Sequence, residues 1–308
     1  MFDTFYKKSG IVTEKLARDF FSMEVGTRLP TIAEYTQRFS TSRGTVQNAL
    51  ALLEENECIT ILKSGSKGTL LTGIDLLKLQ KFTGWDSLTG SMPVPLNPLL
   101  SSLTTAICHE MSQCPIPFSF AFVTGSQRRI DALLKKVYDF IIVTKGSAQI
   151  FLENNPSLEA AFQLDDCQYS HEYYVYFMNP AFSTITDGMR VAVDPTSADQ
   201  YLITQKLFRD KNIELVVAPY IGFHDLMTKR QVDCVIYRKD DWIQPYTYFR
   251  AVKLDLPGFS AHDVITPTIL INKENYGLKK LLFKYLKKDR IAESQQKVLS
   301  GDMPVNFF

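Results

Sequence analysis

At 308 residues the chain is long enough for about two domains. Its 45% hydrophobic and 22% charged content is that of a packed globular protein, which excludes a disordered chain, a collagen and a coiled-coil rod. With 34 Lys and Arg against 33 Asp and Glu, the net charge is +1, so neither a globally basic nucleic-acid coat nor a polybasic membrane binder is expected, although a balanced sum conceals local patches. The start of the chain shows no signal-peptide pattern. No apolar run reaches the ~18 residues of a membrane span. Cys58, Cys108, Cys114, Cys167 and Cys234 are odd in number and contain no CxxC pair. They read as reduced, buried thiols of a cytoplasmic protein that does not engage a membrane.

In chain order, Ile11, Leu16, Phe20 and Phe21 predict a helix over 10–25, with Gly26 placed as a C-terminal cap. Leu29-Pro30 breaks the chain, and Thr31 with Glu34 forms a capping box for a second helix that turns Ile32, Tyr35 and Phe39 inward. After the Ser40-Thr41-Ser42 turn a third helix runs from Ser42 to about Glu55, with Val46, Ala49, Leu50 and Leu53 as its apolar stripe. Residues 58–72 then alternate around a Gly65–Gly68 tip, a hairpin signal. Three short helices and a hairpin make a winged helix-turn-helix pattern, whose third helix projects polar side chains into the major groove of double-stranded DNA. Ser42, Arg43, Thr45 and Gln47 are of the right types for it, and Lys63 and Lys67 flank the glycines of the wing.

The run Arg28-Leu29-Pro30-Thr31, Ser42-Arg43-x-Thr45-Val46 and Gly65-x-x-Gly68-Thr69 resembles the DNA-binding domain of GntR-type bacterial regulators, without a gap over residues 10–72. That resemblance implies DNA contacts at Arg28, Thr31, Ser42, Arg43, Thr45 and Gly68. The chain departs from the pattern at Gln47 and Asn48, where an arginine often lies, and in having Gly44 in the opening turn, which leaves the operator sequence open. The head, residues 1–73, holds nine basic and eight acidic residues. Its attraction to DNA must therefore come from the placement of Arg28, Arg43, Lys63 and Lys67 on one face.

Residues 74–95 read as a linker, with Pro93, Pro95 and Pro98 disfavouring a continuous helix and a short edge strand around Met92–Leu96. Leu100, Leu103, Ile107 and Met111 predict a helix over 99–111. From there to residue 308 strands and helices alternate. Strands are expected at 118–123, 140–143, 172–178, 189–193, 213–217 and 232–237, and helices at 126–138, 197–209 and 223–229. Thr266–Ile271 is a candidate crossover strand returning to the first block, and 278–290 a closing helix. Its lysines, such as Lys280 and Lys284, read as a solvated face.

The fold class expected is therefore a winged helix-turn-helix (α+β) domain, residues 1–73, followed by a two-lobed α/β domain, residues 96–308, of the type II periplasmic-binding-protein-like kind. Ligands of such sheets bind beyond the carboxyl ends of strands, at helix N-termini. The candidate ligand residues are Ser126 and Gln127 after the first strand, Gly146 and Ser147 after the second, and Thr196 and Ser197 ahead of Asp199 and Gln200, with Tyr220 and Thr268 lining the cleft from the hinge side. Their N–H groups and hydroxyls suit a carboxylate or a phosphate.

Lys7-Lys8-x-Gly10, Met92-Pro93-x-Pro95, Tyr138-Asp139, Ser197-Ala198-Asp199-Gln200 and Gln295-Gln296-x-Val298-x-Ser300-Gly301 resemble the YhfZ family of regulators over nearly the whole chain. That resemblance implies a GntR-like head joined to a solute-binding-like body, and supplies no ligand. His109, His171, His224 and His262 form no metal motif, and no GxSxG, P-loop or GxGxxG occurs, so no metal, cofactor or catalytic residue is expected. The leading expectation is a cytoplasmic, homodimeric transcriptional regulator, a repressor by default, with an operator and a small-molecule effector as partners. The alternatives are a DNA-binding head fused to an enzyme acting on a small anionic metabolite, and a free solute-binding protein.

Overall fold

The computed structural model describes residues 8–65, 68–171, 173–239, 249–254 and 261–307. In chain order the elements are helices α1 (Lys8–Phe21), α2 (Ile32–Phe39) and α3 (Arg43–Glu55), strands β1 (Ile59–Lys63) and β2 (Thr69–Ile74), α4 (Leu76–Gln80), β3 (Leu88–Met92), α5 (Pro98–Met111), β4 (Phe118–Phe122), α6 (Ser126–Leu134), β5 (Phe140–Thr144), α7 (Lys145–Asn154), β6 (Leu158–Gln163), β7 (Tyr173–Phe177), β8 (Arg190–Val193), α8 (Ala198–Leu207), β9 (Glu214–Val217), α9 (Phe223–Thr228), β10 (Cys234–Arg238), β11 (Arg250–Lys253), α10 (Ala261–Ile265), β12 (Pro267–Asn272), α11 (Leu278–Tyr285) and α12 (Lys288–Ser300). They form two compact units. One comprises Met1–Leu88, Met111–Phe118 and Glu274–Leu286, the other Thr89–Glu110, Ser119–Lys273 and Lys287–Phe308.

In the first unit, α1, α2 and α3 close over Leu16, Phe20, Tyr35, Phe39, Val46 and Leu53, all buried. The capping box is in place: the Thr31 hydroxyl accepts from the Glu34 N–H at 3.2 Å, and the Glu34 carboxylate accepts from the Thr31 N–H at 2.6 Å. Ser40 ends α2 in the left-handed region (φ 49°), and Ser42 caps α3 through the Thr45 N–H at 3.2 Å. Strands β1 and β2 pair antiparallel as the wing, and Arg28 bridges to Leu70 at its side.

The sequence pattern predicts a single helix over 278–290. Instead α11 ends at Tyr285, Leu286 is extended (φ −85°, ψ 100°), and α12 starts at Lys288. The reason lies in two separate buried stripes. Leu278, Leu281 and Leu282 belong to the first unit, whereas Ile291, Ser294 and Gln295 belong to the second. The α11 lysines are not a solvated face either. Lys280 Nζ reaches Asp19 Oδ1 at 2.5 Å, and Lys284 Nζ donates to the carbonyls of Phe21 and Met23 at 3.0 and 3.2 Å, where the C-terminal end of the α1 dipole favours a cation. Asp19, fully buried, also accepts from Arg38 Nη1 at 3.0 Å and from the Tyr276 hydroxyl at 2.9 Å. Next to it Arg18 donates to the Thr83 and Tyr276 carbonyls and to Asn275 Oδ1, with its guanidinium 4.6 Å over the Trp85 ring.

The second unit holds two five-stranded sheets, ordered β4-β3-β5-β12-β6 and β11-β7-β10-β8-β9. Each is the centre of one lobe. The chain crosses from the first to the second between β6 and β7 and returns between β11 and β12, so the expected crossover strand is β12, antiparallel to both β5 and β6. The strand expected at 92–96 lies at 88–92 instead and is not an edge: β3 sits between β4 and β5, parallel to β5. Prolines stop it from extending further. Its Thr89-Gly90-Ser91 centre carries no apolar alternation because the Phe120 and Phe140 rings occupy the space over Gly90. Accordingly β4 and β5, although joined by α6, are not neighbours. The helix α7 and the strands β6 and β11 were not expected from the sequence.

Asp19→Ala tests the first unit. Tyr276 loses its acceptor, whereas Arg38 and Lys280 are half-exposed and regain water. We expect a loss of about 1–3 kcal/mol in urea unfolding, with near-native helix content in the folded baseline.

Candidate functional site

Two constellations stand out, one in each unit. In the first, α3 presents its N-terminal half outward: Arg43, Gly44, Gln47 and Asn48 are exposed, while Val46, Ala49 and Leu50 face the core. Ser42 and Thr45, expected to hold phosphate, are bonded to each other at 2.8 Å as part of the cap. Thr31 likewise serves the α2 cap. Arg28, Thr31, Gln47, Lys63 and Gly68 gather around one groove between α2, α3 and the wing. Gly68 has φ +83°, and a Cβ there would lie 2.8 Å from Arg28 Nε, so the glycine lets the arginine lie across the wing. Ser42, Arg43 and Thr45 lie outside that groove's lining. Lys67 lies outside the described residues.

The second constellation is a cavity of about 90 Å³ between the two lobes of the second unit. Among the expected ligand residues, Ser126, Ser147, Ser197 and Tyr220 line it, and Gln127, Gly146, Thr196 and Thr268 do not. Gln127 points its amide to Asp131 and donates its N–H to the Thr196 carbonyl at 3.0 Å. Thr196 is folded back on Asp194, which accepts from its N–H and its hydroxyl at 2.8 and 2.7 Å. Gly146 backs onto the Asp263 carbonyl. Thr268, on β12 opposite Val143, buries a hydroxyl that has no hydrogen-bond partner.

At the centre of the lining is Asp199, in the first turn of α8 and 5% exposed. Its carboxylate accepts from the Thr144 hydroxyl at 2.6 Å and the Ser147 hydroxyl at 2.5 Å, both from the first lobe, and from Arg238 Nη2 at 3.1 Å in the second. Thr144 is the N-cap of α7. The anion position expected at that helix N-terminus is therefore occupied by the protein's own carboxylate. A second inter-lobe link runs from the Ala198 N–H to Ser126 Oγ at 3.0 Å. Gly125, at φ +83°, lies where a Cβ would collide with the Thr196 side chain, so the lobes meet there only over a glycine.

The arginines are what sequence reasoning missed. Arg129, on α6, is 3% exposed. Its Nη1 donates to the Val123 carbonyl at 2.7 Å, and its buried Nε–H has no acceptor. Burial pushes its pKa down, and Asp199 attracts it through space while bonded elsewhere. A signal was available: Arg129 falls in the stripe Ser126, Arg129, Ile130, Leu133, an apolar-face position where a charge needs a reason. Arg238 ends the apolar strand β10, and its guanidinium lies 5.3 and 5.0 Å from the Tyr169 and Tyr173 rings. The Tyr220 hydroxyl accepts from the Arg238 N–H at 3.0 Å, and its ring stacks on Tyr237 with centroids 4.4 Å apart.

The one carboxylate that the described lining holds, Asp199, thus already accepts from three donors. Elsewhere burial pushes the thiols of Cys108 and Cys114 up to about 11 and those of Cys167 and Cys234 up to about 12. Among the described residues no group of three or more His, Cys, Asp or Glu is placed to hold a metal ion. No described helix is long and apolar enough to cross a membrane.

A helix-turn-helix head with a wing, followed by a two-lobed α/β unit with a cavity between its lobes, is the build of a DNA-binding regulator. Residues 24–71 match the model of a helix-turn-helix domain, and residues 75–306 match that of the YhfZ C-terminal domain. The chain belongs to the YhfZ family. The YhfZ protein of Escherichia coli (strain K12) is 27% identical over 306 residues, covering 99% of each chain. The crystal structure of YhfZ from Shigella flexneri superposes with a TM-score of 0.59 at 26% identity, over 72% of this chain and 93% of that one. The methionine binding protein MetQ aligns at 14% identity, over 70% of this chain and 96% of that one, with a TM-score of 0.48.

Two measurements probe this site. Asp199→Ala leaves Arg238 buried without its counter-charge and severs both hydroxyl links, so a loss of about 3–5 kcal/mol is expected in chemical unfolding. In the native protein all five thiols, Cys58 included, have a pKa raised by burial and should resist iodoacetamide at pH 8, and react once urea exposes them.

Proposed function

We propose that the chain is a cytoplasmic transcriptional regulator whose head binds operator DNA as a homodimer, and whose two-lobed unit senses a small anionic effector without transforming it. The observation that carries this reading is the exposed N-terminal half of α3, with Arg43 and Gln47 outward and Arg28 and Lys63 beside it on the wing side. A capped helix with an arginine and a glutamine on its open face can read base edges: Arg bridges the two acceptors of guanine and Gln pairs with adenine. Arg28 and Lys63 suit phosphates, which position the head without specifying sequence.

One such head touches few base pairs, and a two-fold pair of heads would match half-sites about one helical turn apart. The effector reading rests on Arg129, a buried cation of the cavity lining whose Nε–H has no hydrogen-bond partner. Sensing is favoured over turnover because the one carboxylate that the described lining holds is already bonded to three donors, the Thr144 and Ser147 hydroxyls and Arg238. The segment 274–286 packs in the first unit and joins β12 to α12, both of the second, a chain connection that supports coupling of the lobes to the head. Ligand preference for one of two lobe arrangements then changes operator affinity by the ratio of its affinities for them. Repression is the expected sign.

The test is a gel shift on DNA upstream of the protein's own operon. Arg43→Ala with Lys63→Ala should weaken binding at least tenfold and lower the salt slope by about one, for the phosphate contact of Lys63, with unchanged thermal stability. Equal binding by the double variant and the unaltered protein would remove α3 and the wing as the DNA-reading face.

A further inference from the structure

Among the described residues the charges around the inter-lobe cavity do not balance: three charged side chains line it, Arg129, Arg238 and Asp199. All three are nearly buried, at 3%, 8% and 5% exposure. Asp199 and Arg238 are bonded to each other at 3.1 Å and neutralise one another. That leaves one positive charge, on Arg129, with no carboxylate of the described residues paired to it. An uncompensated buried cation is costly, and proteins keep one where a ligand completes the pair. The same arrangement says what the ligand lacks. An ammonium group is best matched by a free carboxylate, and the one that the described lining holds is committed to Thr144, Ser147 and Arg238. A phosphate monoester, near −2 at neutral pH, would overshoot the single charge to be matched. The rest of the lining includes Val94, Leu100 and Val143 and the rings of Tyr169 and Tyr173, which suit an apolar body.

We propose that the cavity binds a small monocarboxylate with an apolar body and no positive charge, such as a short branched or aromatic 2-oxo acid, its carboxylate on Arg129, and that it rejects the matching amino acid. This rests on the effector reading above and adds the chemical class to it. The planar guanidinium edge carrying Nε suits a two-pronged carboxylate bond, because Nη1 is already tied to the Val123 carbonyl and fixes the plane. Tyr220 and Tyr237, stacked on each other, add a flat wall to the same lining.

The experiment is calorimetric titration of the full chain with 3-methyl-2-oxobutanoate, phenylpyruvate, valine, phenylalanine, glucose 6-phosphate and inorganic phosphate. The same titrations are run on Arg129→Met, together with thermal unfolding of both proteins. The oxo acids should bind at least tenfold more tightly than the amino acids and phosphates. Arg129→Met should abolish that binding while melting at the same temperature as the unaltered protein or higher, because it removes an unpaired buried charge. Amino acids or phosphates binding as well as the oxo acids would overturn the proposed class and leave the effector reading standing. No binding by any probe, with Arg129→Met melting well below the unaltered protein, would make Arg129 a structural residue and overturn both. Oxo-acid binding that survives in Arg129→Met would overturn Arg129 as the anchor.

Discussion

The second unit is organised by one buried carboxylate. Asp199 sits in the first turn of α8, in one lobe, yet two of its three donors, Thr144 and Ser147, come from the other. A buried carboxylate without partners would be strongly unfavourable, so its position forces β5, α7, α8 and β10 to converge on one point. That convergence encloses the cavity. It also settles which groups are left for anything else: the hydroxyl of Ser147 and the N-terminus of α7 are used, whereas the Nε edge of Arg129 is not. Loop residues that look equivalent in sequence thereby acquire different roles. Ser126 and Ser147 become rivets between lobes, and a helical arginine becomes the chemically available group.

The first unit has a parallel device in Asp19. Its carboxylate draws together Arg38 from α2, Tyr276 ahead of α11 and Lys280 within α11. Lys284 adds a cation at the C-terminal end of α1. A segment some two hundred and fifty residues away in the chain is in this way built into the head. The effect is that the head is no self-contained 73-residue piece: part of its surface is made by chain that has already passed through the two sheets.

Much of the head was legible from local chemistry. The Thr31–Glu34 box, the Ser42 cap, the stripe Val46, Ala49, Leu50, Leu53 and the glycine-tipped hairpin each depend on residues within a few positions of one another, and such short-range rules survive in a single sequence. The same holds for β5, β8 and β10, whose apolar runs are buried on both faces. The strand β3 escaped because its centre is Thr89-Gly90-Ser91, selected by the aromatic rings packed over it and not by alternation. The break between α11 and α12 escaped because both halves are good helix and only their different burial partners separate them.

The sequence by itself therefore determined the class of head, the number of lobes and the loops that face the space between them, since periodicity, caps and turn residues act over a few positions. The tertiary structure alone decided which polar group in those loops is occupied. Arg129 and Arg238 are ordinary arginines in the sequence, and Asp199 an ordinary acidic residue in a first helical turn. Pairing Asp199 with Arg238 and not with Arg129 is a matter of distances across two lobes, set by packing between segments about 40 to 70 residues apart. Charge balance in a buried site is a property of that pairing, and no local pattern encodes it.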